Sequence, residues 1–192
     1  NVDLIAELLP LALAMMLTGA VGGLLAGLLG VGGGIVIVPV LDATLGFMDV
    51  DTTIRMHVAV ATSLATIIPT SIASSRAHYG QGAVDIELAK RWAPFILAGS
   101  VVGTIVATAV DSDVLSMVFG AVALIVAVKM LLPLEGLRFS ETVPRGIVGP
   151  MVPLGIGSLS SMMGIGGGTL SVPVLTLMNQ PIHRSIGTAA FF

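Results

Sequence analysis

Long apolar stretches without charge alternate along this chain with short polar ones. Residues 8–41 carry no Asp, Glu, Lys or Arg, and neither do 56–75, 92–110 and 146–183. A bilayer-spanning helix needs about 20 predominantly apolar residues. The spacing therefore predicts spans over Leu8–Leu29, His57–Ser75, Ala93–Val110, Val114–Leu132 and Gly146–Met163, with a last helix opening over His183–Phe192. Between them, Asp42–Arg55 reads as an acidic polar loop and Arg76–Arg91 as an extramembrane loop. Asp111–Asp113 reads as a tight acidic turn, and Glu135–Arg145 as a second extramembrane loop. Ile35–Leu41 is apolar but short and contains Pro39, which suits either a half-helix or a re-entrant, strand-like piece.

Composition agrees with that pattern. The chain is 55% hydrophobic and only 10% charged, against about a quarter charged in soluble domains. The expected class is an all-α polytopic membrane protein in contact with the lipid bilayer. Cysteine is absent, which excludes disulfide staples and thiolate ligands. The net charge of −3 comes without a basic run, so nucleic-acid binding has no electrostatic support. Residues 1–7 lack a basic segment, so Leu8 onward reads as a true span rather than a cleaved signal. At the other end the chain stops inside an apolar run begun at Ser185, so further spans are expected beyond Phe192. The basic loops 76–91 and 129–145 are expected to face the cytoplasm, and the acidic turn 111–113 the other side.

One segment occurs twice. Gly27–Leu41 (GLLGVGGGIVIVPVL) returns as Ser161–Leu175 (SMMGIGGGTLSVPVL) at an offset of 134, with 8 of 15 positions identical. A weaker echo follows, Met56–Thr62 against Ile182–Thr188, at an offset of 126. The chain thus reads as two homologous helical repeats, 1–134 and 135–192, with the second cut short. Four crossings between the signatures would make the repeats parallel. If Ile35–Phe47 also crosses, the count is five and they are inverted; both arrangements serve transporters.

Glycine triplets inside an apolar helix break or kink it, and backbone freed at membrane depth must line a cavity or be buried in protein. A helix beginning there directs unpaired amides and the positive end of its dipole at whatever occupies the cavity, which suits an anion. Candidate backbone contacts are Gly32, Gly33 and Gly34 in the first signature and Gly166, Gly167 and Gly168 in the second. Pro39 and Pro173 would shape the two breaks. Thr62, Ser63 and Thr188 are candidate side-chain contacts, each set just beyond a signature at the start of a paired helix. Hydroxyls there either complete an anion cage or bond back to carbonyls of their own helix. His57 and His183 occupy matching helix-start positions, as proton-coupling groups or as helix caps. No ionisable side chain sits mid-span, which argues against a carboxylate proton relay. Gly19, Gly23 and Gly27, and likewise Gly99 and Gly103, recur every four residues and form small faces for close helix packing.

The doubled Gly30-Val-Gly-Gly-Gly…Val-Pro-Val-Leu41 and Gly164-Ile-Gly-Gly-Gly…Val-Pro-Val-Leu175, with Gly187-Thr188 after His183, resemble the sulfite exporter TauE/SafE family, also described as toluene-sulfonate uptake permeases. The resemblance spans essentially the whole chain. It implies an inner-membrane, multi-pass transporter of sulfur-containing anions such as sulfite or organosulfonates, coupled to an ion gradient (H+ or Na+), with no cofactor. Members often carry Gly-Thr-Ser after each signature, where this chain has Ala61-Thr62-Ser63 and Gly187-Thr188-Ala189.

Other readings stay open beside it. One is a cation or metal-ion transporter, in which carbonyls rather than amides would point into the breaks. A second is a membrane accessory subunit without a solute path. An intramembrane hydrolase lacks a Gly-x-Ser-x-Gly elbow. A homodimer joined through a small-residue face is also open.

Overall fold

A computed structural model describes residues 16, 19, 20, 23, 24, 33–131 and 148–192. Within them the chain forms seven helices and no strand: α1 Gly34–Phe47, α2 Thr52–Gly80, α3 Ile86–Ala109, α4 Ser112–Leu131, α5 Val148–Met163, α6 Gly166–Leu177 and α7 Ile182–Ala189. Among the described residues, α2 and α3 are long and apolar enough to cross a membrane. At 1.5 Å per residue, the 29 residues of α2 reach about 43 Å. The 14 residues of α1 and 12 of α6 reach only about 21 and 18 Å, short of the roughly 30 Å hydrocarbon core. Leu97, Val101 and Ile105 along one side of α3 are exposed, a face that favours lipid over water.

The helix ends depart from the expected loops. Asp42–Arg55 is not a loop: α1 runs on to Phe47, and only residues 48–51 turn before α2. The charges remain helical because they satisfy one another. Arg55 Nε donates to Asp42 Oδ1 at 2.9 Å, across the α1–α2 hairpin. Asp51 caps α2, accepting from the Thr53 amide at 2.9 Å and the Thr53 hydroxyl at 2.8 Å. Those bonds, the amide's first, hold its carboxyl below the usual carboxylate range. Arg76, Lys90 and Arg91 are likewise helical, on the last turns of α2 and the first of α3, leaving a short turn of 81–85. Ile35–Leu41 is helical throughout, so the strand-like alternative falls. The acidic turn at 111–113 is there, although Ser112 and Asp113 already belong to α4. Leu8–Leu29, apart from Met16, Gly19, Ala20, Gly23 and Leu24, and the loop 135–145 lie outside the described residues.

Packing is densest where α3 meets α5. A Cβ on Gly99 would fall on the Leu154 carbonyl, one on Gly103 on the Ser158 carbonyl, and one on Gly157 on the Ile96 carbonyl. Small residues on both helices therefore bring the two backbones together, as the Gly99/Gly103 spacing predicts. Val38, Met56, Val60, Leu115, Phe119, Met163 and Ile165 form one core joining α1, α2, α4 and α5. Leu88, Trp92, Ile96, Ile156, Leu175 and Met178 form another between α3, α5 and the α6 end.

Candidate functional site

The site is built around the passage from α5 to α6. α5 closes in a Schellman motif: the Ile165 amide reaches back to the Ser160 carbonyl at 3.1 Å and the Gly164 amide to Ser161 at 3.3 Å. That geometry needs a left-handed residue, and Gly164 supplies it with φ +68°. A Cβ there would also press on the Val60 backbone at 2.9 Å. Two residues on, Gly166 is left-handed again (φ +69°) and opens α6.

The two signatures meet at this point. A Cβ on Gly34, the first residue of α1, would fall on Ile165 Cα and come within 2.6 Å of the Gly164 carbonyl oxygen. Ser63, fully buried, donates its hydroxyl to the same Gly164 oxygen at 2.6 Å. The Gly164 carbonyl is thus tied up. Beside the passage lies a cavity of about 370 Å³. From the second signature Ile165, Gly166, Gly168 and Thr169 line it, and from the first Gly33. One face of α2 contributes Ile67, Thr70, Ser71, Ser74 and His78, and the α7 end contributes Ile186, Ala189, Ala190 and Phe192. Gly19 and Gly23, from the first predicted small-residue face, complete the lining with Ile37 and Val172. The first amides of α6 have no carbonyl partner within their own helix, so this wall carries partial positive charge.

The candidate residues divide accordingly. Gly33, Gly166 and Gly168 line the cavity, while Gly34 and Gly167 pack beside it, Gly167 against Phe192. Gly32 lies outside the described residues. Ser63 braces the passage instead of lining it. Thr62 is exposed in mid-α2, away from the cavity lining, and Thr188 sits near the end of α7, so neither begins a helix. Thr188 is buried and accepts the Asp85 amide at 2.9 Å. Next to it, a Cβ on Gly187 would fall on the Ala83 carbonyl. The Gly-Thr pair therefore seats α7 on the turn before α3. Many of the hydroxyls bond back to their own helix: Thr66 to the Ser63 carbonyl, Thr70 to Thr66, Thr169 to Ile165 and Ser171 to Gly167.

The matching of His57 with His183 is also corrected. The helix starts Thr52 and Ile182 lie 130 residues apart, not 126, so His57 falls in the second turn of α2 and His183 in the first turn of α7. His57 ties three helices together. Its Nε2 lies 3.0 Å from the Ala107 carbonyl and 3.1 Å from that of Val110, which only accept, so Nε2 donates. Its Nδ1 meets the Ser112 hydroxyl at 3.1 Å, and that hydroxyl donates to the Thr53 carbonyl at 2.7 Å. His57→Leu is expected to lower detergent-solubilised stability by about 2 kcal/mol, because it leaves carbonyls at the α3 end unpaired. A thermal melt checks this.

Sequence reasoning did not single out the cavity face of α2. Thr70, Ser71, Ser74 and His78 fall at helical spacing, but that spacing alone does not say which neighbour they face.

The sequence profile of the family described as Sulfite exporter TauE/SafE matches residues 15–192. The chain is 35% identical to a probable membrane transporter protein of Haemophilus influenzae over 182 residues, covering 93% of this chain and 68% of that protein. It is 28% identical to probable membrane transporter protein YunE of Bacillus subtilis, covering 92% and 72% of the two chains. A probable membrane transporter protein of Methanocaldococcus jannaschii is 27% identical, with 93% and 66% covered. The chain thus spans about two thirds of the length of these relatives. No solved structure matches it. With the profile covering nearly the whole chain, and apolar helices gathered around a cavity at the doubled signature, this chain belongs to the sulfite exporter TauE/SafE family of membrane transporters.

Proposed function

We propose that the chain is the larger part of a multi-pass inner-membrane permease for sulfur-containing anions such as sulfite or organosulfonates, driven by an ion gradient and holding its substrate in the cavity at the glycine signatures. The observation that carries this reading is the polarity of the passage between α5 and α6. Ser63 occupies the carbonyl at the break, while the first turn of α6 lines the cavity. Of the hydroxyls around it, those of Thr70, Ser71 and Thr169 donate to carbonyls of their own helices, which leaves Ser74 to donate, and no carboxylate is among the described lining residues. An oxyanion gains from the amides of a helix start and from such a hydroxyl, whereas a cation would need carbonyls.

The doubled signature supports two homologous repeats, 1–134 and the beginning of a second from 135. Each signature opens a short proline-containing helix, α1 or α6. Each of these ends in a turn with a left-handed residue, Asp49 or Asn179, followed by the next helix. Helices too short to cross alone, at corresponding places, are what the midplane sites of repeat transporters are built from.

The test is uptake of labelled sulfite, taurine and methanesulfonate by the protein in proteoliposomes, with and without a proton gradient. Saturable, gradient-stimulated uptake of at least one of them is expected. Uptake of a divalent cation with none of these anions would overturn the reading in favour of a cation carrier.

A further inference from the structure

His78 is the one ionisable side chain among the described residues that line the cavity. It stands at the end of the α2 face that begins at Ile67 beside the helix break and continues through Thr70, Ser71 and Ser74. Eleven residues of helix place it about 16 Å from Ile67 along the α2 axis, toward the end of the helix that carries Arg76. Its position is secured by its own backbone, for the His78 carbonyl accepts the Ala83 amide at 3.2 Å and closes the turn after α2. His78 is half-buried.

Other charged or titratable groups are near in the chain but do not line the cavity. On α2 they are Arg76 and Tyr79. At the start of α3 they are Asp85, whose carboxylate accepts the Leu88 amide at 3.0 Å, then Glu87, Lys90 and Arg91. On α7 they are His183 and Arg184; α6 carries none.

Among the described lining residues, an anion in this cavity therefore meets dipoles everywhere except at His78. Dipoles neutralise no net charge, and in a weakly polar surrounding the one described lining residue able to become a cation gains weight. We infer that His78 is the charge-bearing residue of the cavity: its imidazolium, at the other end of the same cavity, offsets the charge of the bound anion, so that anion and proton bind together. The inference rests on the cavity being the anion site. It extends that reading by specifying the coupling ion as a proton and naming its carrier. Imidazole side chains in general change charge between about pH 5 and 8, the range the test covers.

The test uses methanesulfonate, which stays ionised throughout that range, whereas sulfite itself takes up a proton within it. Calorimetric titration of the purified protein is expected to give affinity about tenfold tighter near pH 5.5 than near pH 8. His78→Gln is expected to bind at the weaker, high-pH affinity of the parent at both values. A His78→Gln protein that keeps the parent's pH slope would overturn the role of His78. Absence of methanesulfonate binding by the parent at either pH would overturn the cavity reading itself. A second measurement needs no variant: at about pH 7, parent binding enthalpies in two buffers of different ionisation enthalpy should differ, reporting proton uptake. Identical enthalpies would sink the proposal.

Discussion

Gly103→Leu is expected to prevent recovery of a folded, monodisperse protein, with a loss of at least about 3 kcal/mol if any folded fraction survives. The first added carbon would already occupy the place of the Ser158 carbonyl and the Ser161 hydroxyl. The hydroxyl can rotate, but the backbone carbonyl cannot move aside unless α3 and α5 separate. Parting them would also open the contacts at Gly99 and Gly157, because the three close approaches lie along one seam. Gly103→Ala should fall between, with a clear drop in melting temperature. Gly120→Ala is the matched control. Gly120 has nothing within 4 Å of its Cβ position, and replacing an exposed helix glycine by alanine is expected to be neutral or stabilising by about 0.5–1 kcal/mol. A melt of Gly103→Ala indistinguishable from that of Gly120→Ala would mean the seam is looser than described.

The second large effect separates two adjacent glycines of the first signature. Among the described residues, a Cβ at Gly33 would touch only the Ile37 Cδ1 atom, at 3.3 Å, and the backbone is ordinary right-handed (φ −66°). Gly33→Leu should therefore fold while filling part of the cavity. Transport in proteoliposomes is expected to drop by at least about tenfold with little change in melting temperature. At Gly34 the same substitution would drive a side chain into the backbone of Ile165 and Gly164. Gly34→Leu is expected to cost about 3 kcal/mol or more and to lose the protein before transport can be measured. Normal transport by a folded Gly33→Leu protein would move the solute path away from this cavity.

The pattern of charge-free stretches was enough to place α2, α3, α4 and α5, because a bilayer demands apolar length and little else does. It could not place the helix ends. Hydropathy marks where lipid stops, and backbone hydrogen bonding continues past that point wherever the polar residues find partners. Asp42 with Arg55, and Asp51 with Thr53, show how, and so the predicted loops 42–55 and 76–91 turn out to be largely helix.

The small-residue spacing at Gly99 and Gly103 announced a close contact but not its partner, since the partner's own small residue, Gly157, lies more than fifty positions on. The glycine signatures were legible for a related reason: left-handed backbone at Gly164 and Gly166 tolerates little else. Which groups gather around them was not. Ser63 was singled out as a cavity hydroxyl, yet burial turns it onto the Gly164 carbonyl. Thr188 is claimed by the Asp85 amide. His78 passed as a loop residue until α2 proved to run to Gly80 and carry it into the cavity lining. Sequence by itself determined that the chain belongs to a membrane-transporter family, is helical and carries one glycine-rich segment twice, because those properties are local. Tertiary structure alone decided which face of α2 closes the cavity, because a helix presents every side in turn and only its neighbours select one.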